Sequence, residues 1–277
     1  MRKSLEMRYG KSLLAAVLLA MVGTIALTGC GETGGSNPTA SSPATPASGA
    51  KEKLVMLTSP DYKPYEFPDP ANREKIIGFD VDIANYIGKE LGFEVEVKGT
   101  DFNGLVPALQ ASRADFVMAG MTPTPERQKN VDFSEIYYEA KNTVFAKKGS
   151  KLITEDDLIG KKVGVQLGST QEGYVKDLKD KEKKNVQIVS LNAIPQIIQE
   201  LKSGRIDAAI VESTVAEGYT VSNPDLEFHI LPNKGLAGSA IAFPKGSKRV
   251  ADFNKVLQKM KDNGEMKRLV QKWFEPQ

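Results

Sequence analysis

Two rhythms of apolar residues alternate along the chain. Residues 54–57 form a short continuous apolar run, the mark of a buried strand, whereas Val81, Ala84, Ile87 and Leu91 recur at the spacing of one helix face. Residues 93–97 return to strand, 105–111 read as helix and 115–119 as another buried strand. The succession then begins again, with strand at 163–166, helix at 170–178, strand at 186–189, helix at 194–202 and strand at 207–211. Strands that alternate with helices predict an α/β fold with a mainly parallel sheet covered on both faces.

The second succession repeats the first at a fixed distance. Leu109, Arg113 and Asp115 in Leu109-Gln-Ala-Ser-Arg-Ala-Asp115 recur as Leu201, Arg205 and Asp207 in Leu201-Lys-Ser-Gly-Arg-Ile-Asp207, each displaced by 92 residues. Helix, polar turn and strand follow at the same offsets, so the order of elements carries more weight than the three identities. Two similar α/β lobes follow. The stretch 239–277 adds a strand at 240–243 and two helices, more than the second lobe needs, and is assigned to the first. The expected division is 51–141 with 238–277 for one lobe and 142–237 for the other, with two crossings that form a hinge. Ligands of open α/β sheets bind beyond the carboxyl ends of strands, and between two lobes that region is a cleft.

Ahead of the lobes, Arg2, Lys3, Arg8 and Lys11 precede an uncharged apolar run at 13–27, the anatomy of a secretory signal. The run is short for a spanning helix, which needs about 20 apolar residues. It ends in Leu27-Thr28-Gly29-Cys30, similar to the lipobox of bacterial lipoproteins. Residues 1–29 are expected to be removed, and Cys30, the single cysteine, to carry a diacylglyceryl anchor. A lone cysteine offers neither an internal disulfide nor a cysteine-based metal site. Residues 30–50 carry one charge, Glu32, and too little apolar bulk to offset their ordering entropy, so they read as a flexible tether. The formal charge of +2 becomes −1 once the leader's four basic residues and one acidic residue are removed. Nothing left reads as a nucleic-acid footprint, which needs a clustered basic excess.

Candidate chemistry lies in the segments that follow strands. In Met121-Thr-Pro-Thr-Pro-Glu-Arg127, Thr124 suits an N-cap and Pro125 the first helical position, which sets Arg127 in the first turn of a helix. An arginine there either gives a carboxylate two parallel hydrogen bonds or stands as a solvated surface group. Gln166-Leu-Gly-Ser-Thr-Gln171 joins strand to helix; Gly168 permits close backbone approach, and Ser169 and Thr170 open a helix whose free N–H groups attract anions. Glu212 ends a strand, either to take an ammonium group or as an exposed strand-end acid. Two anion-seeking features on opposite lobes predict a carboxylate gripped between them.

Gly78-Phe-Asp-Val-Asp-Ile-Ala-Asn-Tyr-Ile-Gly-Lys-Glu-Leu91 resembles the signature of the family 3 bacterial solute-binding proteins, which bind polar amino acids. Tyr62-Lys-Pro-Tyr-Glu66, the stretch from Thr122 to Arg127, Phe133-Ser-Glu-Ile-Tyr-Tyr138, Gly168-Ser-Thr-Gln171, Gly204-Arg-Ile-Asp207, Asp262-Asn-Gly264 and Lys272-Trp-Phe274 extend the resemblance over everything after the tether. It implies a two-lobed periplasmic-binding-protein-like fold of type II, each lobe a mainly parallel sheet flanked by helices, with a two-segment hinge. Such a protein closes on a free amino acid and passes it to the permease of an ABC transporter. By the resemblance, Arg127 and the backbone at Thr170, between Ser169 and Gln171, hold the α-carboxylate. Thr122, next to Met121, the carbonyl of Gly120 and Glu212 hold the α-ammonium; many relatives have aspartate in place of Glu212. Tyr62 and Phe102 fall where relatives place aromatic walls, and Gln166 and Ser59 where the far end of the side chain lies. Binders of basic amino acids often carry an aspartate in place of Ser59. Asp61, Glu66 and Asp80 supply negative charge near the same loops, and two aromatic faces suit a guanidinium. The expected ligand is a basic amino acid, arginine before lysine or histidine, with glutamine or another neutral polar amino acid as the alternative.

A protein of this kind is expected as a monomer on the outer face of the bacterial cytoplasmic membrane. Dehydratases of cyclohexadienyl acids and ligand-sensing modules are the rival classes on the same fold. His229, the single histidine, lies in the alternating stretch Leu226-Glu-Phe-His-Ile-Leu231, where a structural role is expected. No GxSxG, HExxH or Walker-type motif occurs, and no catalytic group, cofactor or metal is expected.

Overall fold

The computed structural model describes residues 51–139, 141–232 and 238–275; the proposed leader, Cys30 and the tether lie outside them. β1 (Lys53–Thr58) buries Leu54, Met56 and Leu57, and a short ribbon of β2 (Phe67–Pro68) with β3 (Ile76–Ile77) leads to α1 (Phe79–Leu91). Phe79, Ile83 and Ile87 sit at helical spacing on α1 and are fully buried, which holds the helix on the sheet. β4 (Glu94–Gly99), a single 3-10 turn at Phe102–Gly104, α2 (Leu105–Gln110), β5 (Phe116–Val117), α3 (Pro125–Gln128) and β6 (Val131–Phe133) complete the first half. The second half runs β7 (Asn142–Lys147), β8 (Lys162–Gln166), α4 (Thr170–Asp180), β9 (Gln187–Leu191), α5 (Ile194–Ser203), β10 (Ala208–Glu212), α6 (Ser213–Ser222) and β11 (Leu226–Ile230). β12 (Ala242–Pro244), α7 (Arg249–Asp262) and α8 (Glu265–Phe274) then pack on the first half.

Two five-stranded sheets result, ordered β4-β1-β5-β12-β6 and β11-β7-β10-β8-β9. β1 is parallel to β4 and β5, and β8 is parallel to β9 and β10, as strand–helix alternation predicts. Each sheet is nonetheless mixed. Every antiparallel pairing within them involves β7 or β12, the strands that enter each sheet from the other half. The two crossings run side by side: Tyr138 pairs with Ser239, and the Ile241 N–H donates to Ser134 Oγ at 2.8 Å. β10 is buried along its whole length because helices cover both faces, α4 with Val175 and Leu178, α5 with Ile197 and Leu201.

The 92-residue repeat is a structural one. Asp115 Oδ2 accepts the Val55 N–H at 2.7 Å, and Asp207 Oδ2 accepts the Lys162 N–H at 2.8 Å, so each aspartate clamps the neighbouring parallel strand near its start. The signature segment also has a scaffold role. A Cβ on Gly78, at φ 145°, would lie 2.1 Å from the Tyr65 carbonyl oxygen, so only glycine lets α1 begin against that loop. Phe79 packs its ring 4.7 Å from that of Phe274, and Asp82 Oδ2 accepts from Lys272 Nζ at 2.6 Å and Trp273 Nε1 at 2.8 Å. Those contacts fix the chain's last helix on its first.

Candidate functional site

The segments that follow β1, β5, β8 and β10 meet around one small cavity, as expected of strand carboxyl ends. Its walls are Tyr62, Phe102, Ala119, Gly120, Thr122, Arg127, Gln166, Ser169, Thr170, Gln171 and Glu212. The cavity measures about 10 Å³, room for about one water. An open groove of about 1010 Å³ lies outside it and shares Phe102, Thr122, Arg127, Ser169, Thr170, Gln171 and Glu212 with it. Side chains from both halves thus wall the cavity, and Arg127 and Asp61 each hydrogen-bond from one half to the other.

Arg127 owes its place to α3. Thr124 caps that helix by accepting the Arg127 N–H on Oγ1 at 3.2 Å, and Pro125 takes its first position. The guanidinium spans the halves: Nη1 donates to the Thr122 carbonyl at 2.8 Å, and Nη2 to the Gly168 carbonyl at 2.9 Å. It lies 5.2 Å from the centre of the Phe102 ring. Burial pulls its pKa down to about 10, which still leaves it charged at neutral pH. Two of its five N–H donors are used by those carbonyls, so donors remain for an anion. Opposite it, Ser169 caps α4 by accepting the Glu172 N–H at 3.1 Å, while the N–H groups of Thr170 and Gln171, in the first turn, have no acceptor within the helix. Glu172 in turn accepts the Gly168 N–H at 2.9 Å and holds the loop before the helix in shape.

Glu212 is the other charge on the wall. It ends β10 as a buried residue, and Oε2 has no hydrogen-bond partner. Desolvation raises its pKa to about 7, against the stabilising hydroxyls of Tyr65 and Tyr62. Tyr62 stacks on Tyr65 with ring centres 5.5 Å apart. It also fits against Gly120, where a Cβ would come within 3.0 Å of its ring and where φ is 55°.

Not all the residues singled out from sequence reach this wall. Asp80 is fully buried behind it: Oδ2 accepts the Gly120 N–H at 3.0 Å and Oδ1 the Tyr137 hydroxyl at 2.8 Å, so it supports the Gly120 turn instead of facing the cavity. Desolvation raises its pKa to about 7. Glu66 is also fully buried; burial and the neighbouring Asp80 push its pKa well above the usual carboxylate range. Met121 lines only the outer groove, and Ser59 donates to Asp61 Oδ1 at 2.7 Å. Asp61, counted from sequence as nearby charge, bridges the halves: Oδ2 accepts the Ile194 N–H at 2.8 Å and Gln166 Nε2 at 3.2 Å. Ala119 on the wall carries no sequence signal beyond ending a strand. His229 lies in β11, paired with Val144, away from the cavity. Among the described residues no acid, histidine and cysteine cluster suits a metal ion, and no helix is long and apolar enough to cross a membrane.

Comparison with known proteins agrees with this architecture. A family model described as bacterial extracellular solute-binding proteins, family 3, matches residues 54–276. The chain is 46% identical over 260 residues to the arginine-binding extracellular protein ArtP of Bacillus subtilis (strain 168), covering 93% of this chain and 96% of that one. An ancestral arginine-binding protein bound to arginine superposes with a TM-score of 0.75 at 40% identity, over 80% of this chain and 98% of that one. An ancestral arginine-binding protein bound to glutamine gives 0.74 at 38% identity, over 82% and 100%.

Proposed function

Because the chain belongs to family 3 of the bacterial extracellular solute-binding proteins, we propose that it captures a free amino acid between its halves, arginine before lysine or histidine, and delivers it to the permease of an ABC transporter. The chain is a binding protein and not an enzyme. One observation carries the ligand class: Glu212 is buried with an unpartnered oxygen on the same small wall as Arg127, which comes from the other half. Burying a charge without a partner is costly, so the wall calls for an occupant that is cationic where it meets Glu212 and anionic where it meets Arg127. An α-amino acid zwitterion is the smallest common molecule with that pair of charges. In this reading Arg127 and the first-turn N–H groups of Thr170 and Gln171 take the carboxylate. Glu212, the Gly120 carbonyl and Thr122 take the ammonium, and Tyr62, Phe102 and Gln166 receive the side chain. Residues 51–141 with 238–277, and 142–237, then move as two lobes about the paired crossings.

Glutamine is the second reading, favoured by the similar ancestral protein that has been seen with it. A ligand that binds only the folded protein at about 100 times its Kd stabilises it by about 2.7 kcal/mol. Arginine should raise the thermal unfolding temperature most, lysine and histidine less, and glutamate not at all. A shift with glutamine and none with arginine would favour the second reading. Residues 1–29 are proposed as a secretory signal and Cys30 as a diacylglyceryl anchor. Cys30→Ala should abolish lipid labelling and release the protein from membranes; membrane retention without lipid would refute the anchor.

A further inference from the structure

We propose that Asp61 is a positioning residue that fixes the hydrogen-bonding polarity of the side-chain end of the cavity, so that the cavity selects amino acids whose side chains end in hydrogen-bond donors. The inference rests on the amino-acid-binding reading above and names the class of side chain it admits.

Asp61 stands just past β1, and its carboxylate is fully engaged. Ser59 Oγ donates to Oδ1 at 2.7 Å, and the Ile194 N–H, at the start of α5 in the other half, donates to Oδ2 at 2.8 Å. Its backbone carbonyl accepts the Tyr219 hydroxyl at 3.1 Å, which holds the residue from a third side. Gln166 Nε2 then finds two partners, Asp61 Oδ2 at 3.2 Å and the Asn192 carbonyl at 3.3 Å. Both are acceptors. A backbone carbonyl has no proton to give, and a carboxylate oxygen bound by a backbone N–H has none either. Turning the amide round would set Oε1 against two oxygens in a buried place and forfeit both hydrogen bonds. The hydrogen-bond network therefore decides which way the Gln166 amide points.

With Nε2 held on the far side, Oε1 is the polar atom that Gln166 offers to the cavity it lines. Among the described residues no hydrogen bond ends on that atom. A guanidinium, an ammonium or the NH₂ of a carboxamide satisfies it. A carboxylate would meet an acceptor, with the Asp61 carboxylate behind it. The charge of Asp61 further ranks cations above neutral amides. Arginine, lysine and glutamine thus fall on one side of the filter and glutamate on the other.

The test is calorimetric titration of the wild-type protein and Asp61→Ala with arginine, glutamine and glutamate. In the variant Gln166 loses one of the two acceptors that hold its Nε2, along with the charge behind it, and its amide is freer to reverse. Arginine binding should weaken about 10- to 100-fold, the scale of a hydrogen bond to a charged group, while glutamate binding does not weaken. An equal loss for all three ligands, or an unchanged arginine-to-glutamate ratio, overturns the inference and leaves amino-acid binding intact. Failure of the wild-type protein to bind any amino acid overturns both. A neutron crystal structure of the wild-type protein with arginine, in which amide nitrogen and oxygen are told apart, decides the matter should the variant not fold. Gln166 Nε2 is expected on Asp61 and Asn192 with Oε1 on the guanidinium; a reversed amide, or a guanidinium out of reach of Oε1, contradicts it.

Discussion

Asp115 and Asp207 perform the same task in the two halves, each binding the N–H near the start of the adjacent parallel strand. Further along, the same 92-residue displacement sets Gly120 of the first half against Glu212 of the second, and both line the cavity. At Gly120 the chain offers only backbone, because the Tyr62 ring fills the space of a side chain. At Glu212 it offers a buried, unpartnered carboxylate oxygen. The duplicated frame is thus kept where strands must be clamped and diverges beyond the strand ends, where a ligand sets the requirements. In the proposed reading both positions meet the ammonium end of the ligand, Gly120 through its carbonyl and Glu212 through its carboxylate.

The largest effect should come from removing the first half's charge. Truncating one partner of a buried, hydrogen-bonded charge pair costs about 2 to 5 kcal/mol, so Arg127→Ala should weaken every amino acid that binds by roughly 30-fold to several thousand-fold in a titration. Glu212→Gln should weaken binding about 10- to 100-fold, since it keeps the shape and loses the charge. It should also flatten the pH dependence. In the free protein Glu212 titrates at about 7, and an ammonium requires the carboxylate form. Wild-type affinity should then be highest above pH 7 and about tenfold lower by pH 6.

The same raised pKa acts in the opposite sense on the ligand-free fold. Burial holds Glu212 at about 7 against an ordinary 4.5, so its protonated form is favoured in the folded state. Its contribution to stability is complete below the ordinary value and is lost as the pH rises through 7. Thermal unfolding without ligand should move to lower temperature from pH 5 to pH 8, and Glu212→Gln should reduce that slope. Gly120→Ala, which places a methyl against the Tyr62 ring at a positive φ, should cost about 1 to 3 kcal/mol in denaturant unfolding and weaken ligand binding as well. Asp115→Ala and Asp207→Ala should each cost about 0.5 to 1.5 kcal/mol and leave Kd unchanged. Unequal costs would contradict the equivalence of the two clamps.

Much of the fold was legible because the parallel strands and their helices announce themselves by apolar spacing, twice over. β7, β6 and α6 were not. β7 is a central strand of Asn, Thr, Val, Phe, Ala and Lys with no clean alternation, and it is recruited by a crossing that only the tertiary fold defines. α6 carries four β-branched residues and one glycine, and it is held as a helix by burial of Val215 and Ala216. In the site, Arg127 and Glu212 could be read from their places beyond or at strand ends, whereas Gln166 came from the family resemblance. Asp80 and Glu66 were expected near the ligand because sequence records charge and not direction; both turn into the protein. Asp61 meets Ile194 across the interface between the halves, a contact no local pattern announces. The signature segment identifies the family, yet Gly78, Phe79, Asp80 and Asp82 all hold the scaffold.

The central proposal is that Arg127 grips the α-carboxylate while Glu212, from the other half, meets the ammonium. Agmatine is arginine without that carboxylate, so titrating arginine and agmatine into the wild-type protein and Arg127→Ala isolates the contact. Arginine should bind the wild-type protein far more tightly than agmatine does, and in Arg127→Ala arginine should weaken by the roughly 30-fold or more given above while agmatine stays unchanged. Equal losses for both ligands in the variant would contradict the assignment of Arg127 to the carboxylate.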